Sequence, residues 1–126
     1  SPDSFYFSHL IYINHRSNSE AFEVIDPILS LIKPKAIIRI KANLYTNIGQ
    51  YMEHGLHTDY PYKHTAALFY VNTNNGFTIL EDGTKVESVA NRLLVMDGSK
   101  LHTSTTCTDQ KVRVNIGINY FSGEEA

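Results

Sequence analysis

The chain has little of what small extracellular, membrane and nucleic-acid-binding proteins are built from. Cys107 is the single cysteine, so no disulfide can close within the chain and a zinc site made of several thiolates is excluded. A reducing, cytoplasmic compartment is the expectation that follows. That thiol has no base beside it in sequence, so it reads as a neutral filler or a surface cysteine and not as a nucleophile. Charge of one sign is also lacking. Against 13 acidic residues stand 11 basic ones, and neither kind forms a run, which removes the electrostatic footprint expected of a nucleic-acid or anionic-membrane partner. No apolar run reaches the roughly 18 to 20 residues of a membrane span, and the N-terminus has no signal-peptide pattern. Internal repeats and low-complexity segments are absent. The chain opens on Ser1-Pro2 instead of methionine, as expected of a trimmed or processed product.

What is present suits one domain of 126 residues, spanning 1–126, with a β-rich core over 36–121 and a supporting portion over 1–35. Residues 5–13 are aromatic and β-branched and read as a strand. Ser17 with Glu20 has the spacing of a capping box. Asp26-Pro27 reads as an N-cap followed by proline at the first helical position, with a helix running on until Pro34. One or two short helices are therefore expected between Ser17 and Lys33. Beyond Ala36 come short alternating runs, giving strands over 36–45, 65–72, 76–80, 84–89, 92–96 and 111–121, and a weaker one over 56–59. Asn75-Gly76, Asp82-Gly83 and Asp97-Gly98-Ser99 read as the turns between them. Short antiparallel strands at this spacing predict a sandwich or barrel.

The last strand carries the clearest signal. Val112, Val114, Ile116, Ile118 and Tyr120 fall on one face, and Arg113, Asn115, Gly117 and Asn119 on the other. An exposed face is usually filled with Thr, Lys or Glu. Here a glycine near an arginine leaves room for a ligand beside the guanidinium, which predicts that Arg113 points inward.

His57 and Asp59 form a His-x-Asp step, and on an extended segment both point to one side. His102 follows after 102 − 57 = 45 residues, beyond a turn, where it can begin a strand facing inward. Two histidines and one carboxylate occupy one face of a metal and leave other positions open. An inward Arg113 then needs an anion, because its planar fork of donors fits a carboxylate and burial without a partner is costly. His54, His57 and His64 allow a zinc reading, weakened by spacing that does not converge. His9 and His15 belong to no constellation. The segment 46–56 borders the ligands and reads equally as a substrate lid or as a plain connection.

The order His57-x-Asp59, His102, Arg113 resembles the iron(II)- and 2-oxoglutarate-dependent oxygenases, particularly their prolyl-4-hydroxylase-like branch, over about Ala36 to Phe121. Tyr45 in Asn43-Leu44-Tyr45-Thr46-Asn47 is similar to the tyrosine of the strand preceding the metal motif. Leu68-Phe69-Tyr70-Val71-Asn72 is similar to the strand that follows it. Asn75-Gly76-Phe77-Thr78-Ile79-Leu80 resembles the family's Gly-Gly turn, with Asn75 in place of the first glycine. Asn119 stands where some relatives carry a bulky aromatic.

The resemblance implies a mainly β double-stranded β-helix, or jelly roll, of about seven or eight strands with helices packed on one sheet. It implies iron(II) on His57, Asp59 and His102, and 2-oxoglutarate as co-substrate with its far carboxylate on Arg113. Tyr45 and Tyr70 are implied hydroxyl donors to that co-substrate. It further implies oxygen as oxidant, ascorbate as a stimulant, and decarboxylation to succinate coupled to hydroxylation of a peptide or small molecule. Two other functions fit the same fold: a cupin-like metalloprotein without oxoacid chemistry, and a non-catalytic jelly-roll binding module. Only the oxygenase demands Arg113. Oligomeric state and the substrate itself are not written in the sequence.

Overall fold

The computed structural model describes residues 6–13, 16–17, 23 and 25–125. Among these, nine strands and one α-helix follow in the order β1 (Phe7–Ile13), β2 (Arg16–Ser17), α1 (Asp26–Ile32), β3 (Ala36–Thr46), β4 (Thr65–Tyr70), β5 (Asn74–Leu80), β6 (Lys85–Ser88), β7 (Leu93–Asp97), β8 (His102–Ser104) and β9 (Val112–Phe121). The expected mainly β architecture is present. The capping box at Ser17 and Glu20 falls partly outside the described residues, and Ser17 itself lies in β2.

The helix starts one residue off the expected frame. Ile25 occupies the N-cap without a side-chain hydrogen bond, and Asp26 is already helical, where its charge meets the positive end of the helix dipole. Lys33 ends the helix in the left-handed region at φ 47°, and its N–H donates to the Leu29 carbonyl at 2.9 Å. Pro34 then prevents continuation.

Six strands form one antiparallel sheet in the order β2-β1-β3-β9-β4-β7, and three form a second in the order β6-β5-β8. One face of the large sheet carries Ile40, Ala67, Ile118 and Tyr120, which pack with Ile11, Ile25 and Ile28 into the apolar core. The helix covers that face because Ile28 is its buried residue. The other face of β3 and β9 is polar, and it looks into a cleft toward the small sheet.

A β-bulge between Ile37 and Arg39 controls these faces. Tyr120 and Asn119 are consecutive on β9, yet they pair with Ile37 and Arg39 across the gap. One extra residue, Ile38, is thereby absorbed. Ile37 consequently packs on the core, while Arg39 lines the cleft.

Asn75-Gly76 is not a hairpin turn. Both residues lie within β5, and Gly76 is absent from the glycines at positive φ. Asp82-Gly83 does turn the chain, with Gly83 at φ 89°. The stretch 56–59 does not form a continuous strand, and only His57 makes a bridge there.

Candidate metal centre

Backbone pairing brings the two histidines together. His57 N–H donates to the His102 carbonyl at 3.0 Å and His102 N–H donates back at 2.9 Å. Residues opposed in this way present their side chains to one face of a sheet, and the two imidazole centroids are 4.9 Å apart. Asp59, two residues beyond His57, turns its Oδ1 to within 3.6 Å of Nε2 of each ring. One ligand atom from each of the three lies within 4.8 Å of the others. Adjacent ligands at about 2.1 Å from a metal are themselves roughly 3 Å apart, so the aspartate sits only slightly farther from each histidine than a bound metal would require. The donor chemistry, two nitrogens and one carboxylate on one face, fits a divalent transition metal.

Electrostatics bias the triad in the same direction. Burial alone would raise the Asp59 carboxyl, but hydrogen bonds from His102 and Asn119 and the charges of His102 and Arg39 outweigh it and hold the group well below the usual carboxylate range. His102 is pushed the opposite way: burial disfavours its charged form, and the neighbouring Asp59 overcomes this and raises its pKa. Asn119 Nδ2 donates to Asp59 Oδ2 at 2.8 Å and lies 3.1 Å from His64 Nε2. His64 is therefore no metal ligand. Its ring is buried and holds the asparagine that holds the aspartate, and a Cβ at Gly98 would overlap it.

Arg113 points inward, as the alternation of β9 predicts, and is 0% exposed. No carboxylate pairs with it among the described residues. Nε donates to Ser88 Oγ at 3.0 Å, Nη1 to Ser104 Oγ and, at 3.4 Å, to the Thr105 carbonyl, and Nη2 has Thr78 Oγ1 at 3.5 Å. The Tyr45 ring lies 5.1 Å from the guanidinium carbon. Tyr70 is buried behind Thr78, with 2.6 Å between their hydroxyl oxygens. Burial raises the pKa of both tyrosines.

Gly76 contributes what its sequence context did not show. A Cβ there would sit 2.6 Å from Arg113 Cδ and 2.9 Å from its Nε, so the missing side chain is the space the arginine occupies.

His54 lies outside the triad. Its ring stacks on Tyr45 at 5.5 Å, burial and the positive charges nearby lower its pKa, and neither ring nitrogen has a partner among the described residues. The segment around it is pinned to β8 and the residues after it. His54 N–H donates to the Ser104 carbonyl, and Met52 exchanges hydrogen bonds with Thr106. That part of 46–56 is an irregular edge of the small sheet. The buried Cys107 thiol approaches the Gln110 carbonyl and takes no part in the site.

The fold is that of the cupins and the 2-oxoglutarate oxygenases. The chain superposes on an oxidoreductase of the 2OG-Fe(II) oxygenase family from Burkholderia pseudomallei with a TM-score of 0.70 at 13% identity, covering 93% of this chain and 66% of that one. A prolyl hydroxylase from Trichoplax adhaerens, solved with a peptide fragment of hypoxia inducible factor, gives 0.63 at 16% identity over 99% and 67%. An RmlC-like cupin from Desulfovibrio desulfuricans gives 0.58 at 13% identity over 93% and 84%. The chain thus spans about two thirds of the two oxygenase structures. No family model matches it, and no curated protein does.

Proposed function

We propose that this chain is a single non-haem iron(II) dioxygenase domain. It couples oxidative decarboxylation of 2-oxoglutarate to hydroxylation of a peptide or small molecule. The observation that supports this most directly is the placement of His102 and Ser104 two residues apart on β8. The first belongs to the triad, and the second bonds the buried Arg113. Two residues of strand cover about 7 Å, a gap that a five-carbon dicarboxylate can bridge.

Iron(II) held by His57, Asp59 and His102 would supply an oxygen-activating centre with open positions beside the triad. The chain's own groups do the rest. Asp59 stays ionised and contributes the negative ligand, while His102 must give up its proton to offer Nε2. Arg113 takes the far carboxylate of the oxoacid, replacing hydroxyl partners that leave its charge unmet. Tyr45 packs over that guanidinium and keeps water from it, and Tyr70 acts through Thr78, whose hydroxyl it fixes. His64 and Asn119 hold Asp59 in place.

Incubation with iron(II), ascorbate and 2-oxoglutarate should release succinate. Arg113→Ala should raise the oxoacid concentration needed by at least about 100-fold, as expected for loss of a buried charge-assisted pair, while iron binding persists. Unchanged oxoacid dependence in that variant would favour a cupin-like metalloprotein. Failure of metal-loaded protein both to bind the oxoacid and to form succinate would favour a binding module.

A further inference from the structure

We infer that the cleft contains a second anion site, built on Lys41 and Arg39 and separate from Arg113, and that the substrate taken there is a small organic acid. This deepens the oxygenase reading and rests on it, since it names the substrate class of the same cleft.

The cleft face of β3 presents Arg39, Lys41, Asn43 and Tyr45 in succession. Asn119, Gly117, Asn115 and Arg113 stand opposite them in register on β9. Inner faces of packed sheets are ordinarily apolar, and the helix-covered face of these same strands is. The polar groups on the cleft face are also incompletely matched. No carboxylate pairs with Lys41 among the described residues, and its ammonium has the Tyr6 ring at 5.8 Å. Arg39 reaches Asn119 Oδ1 at 3.1 Å and Asp59 Oδ1 at 3.8 Å, yet its Nε is buried without a partner. Asn43 is only 6% exposed. It donates Nδ2 to Asn115 Oδ1 at 2.9 Å and leaves Oδ1 buried and unpartnered. Turning both amides over would exchange the bond and leave the Asn43 amide nitrogen short instead, so one of its polar atoms is unmet either way. Buried polar atoms in native proteins find partners. A ligand in the cleft supplies them.

Gly117 gives that ligand room. It lies opposite Lys41, and a Cβ there would meet nothing nearer than 3.8 Å. It would make only ordinary contacts, with Asn43 Nδ2, Leu68 Cδ1 and the Lys41 backbone carbonyl, so the position is uncrowded on a cleft face that Lys41, Asn43 and Leu68 also line. Gly117 is four residues along β9 from Arg113, roughly 13 Å at strand rise, so the carboxylate held by Arg113 is not the group Lys41 would bind. Arg39 lies 3.8 Å from Asp59 and lines the same cleft two residues from Lys41, which sets the second anion beside the triad. A carboxylate or phosphate answers the cation, and a hydroxyl or amine next to it answers the Asn43 amide. A neutral peptide backbone answers only the second.

The test is calorimetric titration, without oxygen, into full-length protein loaded with manganese(II) and 2-oxoglutarate. Probes are free amino acids and hydroxy acids, the corresponding amides, glycerol phosphate, and a proline-containing hexapeptide with both ends blocked. At least one acid, carboxylic or phosphoric, should bind tenfold or more tightly than its neutral counterpart, the amide or glycerol. That preference should fall below twofold in Lys41→Met and return in Lys41→Arg. Gly117→Val, which adds bulk without changing charge, should also abolish acid binding. Equal binding of acids and neutral counterparts, no binding by any acid, or tightest binding by the blocked peptide would overturn the inference. So would a Lys41→Met effect of equal size on 2-oxoglutarate itself. The oxoacid is titrated first into manganese-loaded protein: if it does not bind, the oxygenase reading has failed, and the acid preference of the metal-loaded protein still decides the anion site.

Discussion

Arg113 is a buried cation accommodated by hydroxyls and a carbonyl, and this separates its contribution to binding from its contribution to stability. Burial disfavours its charged form, and an apolar residue of similar length removes that cost. Arg113→Met should therefore leave the ligand-free protein within about 1 kcal/mol of its original stability, or raise it, while oxoacid binding is lost. Urea unfolding and oxoacid titration measure the two quantities; a large loss of stability would show that the guanidinium is a structural element.

His102 and Asp59 give a second residue-scale expectation, with the sign fixed by their opposite shifts. The folded pKa of His102 is raised above its ordinary 6.5, so its stabilisation is complete below that value and disappears as pH rises through the folded pKa. Asp59 is lowered from 3.8, so its stabilisation is present above that value and is lost as pH falls through the folded pKa. The metal-free protein should be most stable between about pH 4 and 6.5, the interval between these ordinary values. Manganese(II) should extend that range upward, because the metal takes the place of the His102 proton. Urea midpoints measured across pH with and without a chelator test this, and a flat metal-free profile would contradict it.

At the scale of elements, the triad depends on the pairing of the 53–57 segment with β8, and the placement of Arg113 depends on how β5 passes beneath β9. Gly76→Ala should force Arg113 away from Ser88 and Ser104. The expected cost is about 1 to 3 kcal/mol of stability together with weaker oxoacid binding, read from unfolding curves and titration. Retention of both would mean that β5 can move aside. These elements also show what the sequence reveals. The order His57, Asp59, His102 and the inward direction of Arg113 follow from local alternation, as do most strands. The Gly76 cradle does not, because it is a contact between residues 37 positions apart (113 − 76). His64 and Asn119 escape for the same reason: their joint role appears only where β9 meets the segment before β4. Lys41 was accessible in principle, since Arg39-x-Lys41-x-Asn43-x-Tyr45 alternates against Ile40, Ala42 and Leu44 as clearly as β9 does.

For the molecule as a whole, the proposed function would have the two sheets serve different ends of one ligand. The small sheet and its irregular edge provide His57 and His102, while the large sheet provides Arg113. A dicarboxylate spanning the two should tie them together only once metal is bound. Thermal unfolding should therefore rise with manganese(II), rise further when 2-oxoglutarate is added, and change little with 2-oxoglutarate alone. Ligand at 100 times its dissociation constant contributes about 2.7 kcal/mol. Equal shifts with and without metal would argue against a shared site.

The bulge at Ile38 has a consequence for how this chain tolerates insertions and deletions. Ile38 is the residue that the pairing of β3 with β9 skips. Its removal would leave Ile37 on the core and Arg39 on the cleft, in unbroken alternation. Loss of any one residue between Lys41 and Tyr45 has no such slack. Every side chain on one flank of the gap would trade faces, turning the cleft's basic residues toward the helix and the strand's isoleucines toward the candidate metal centre. The strand thus behaves like a reading frame with one silent position, and the chemistry of the cleft is kept in phase by the residues downstream of it.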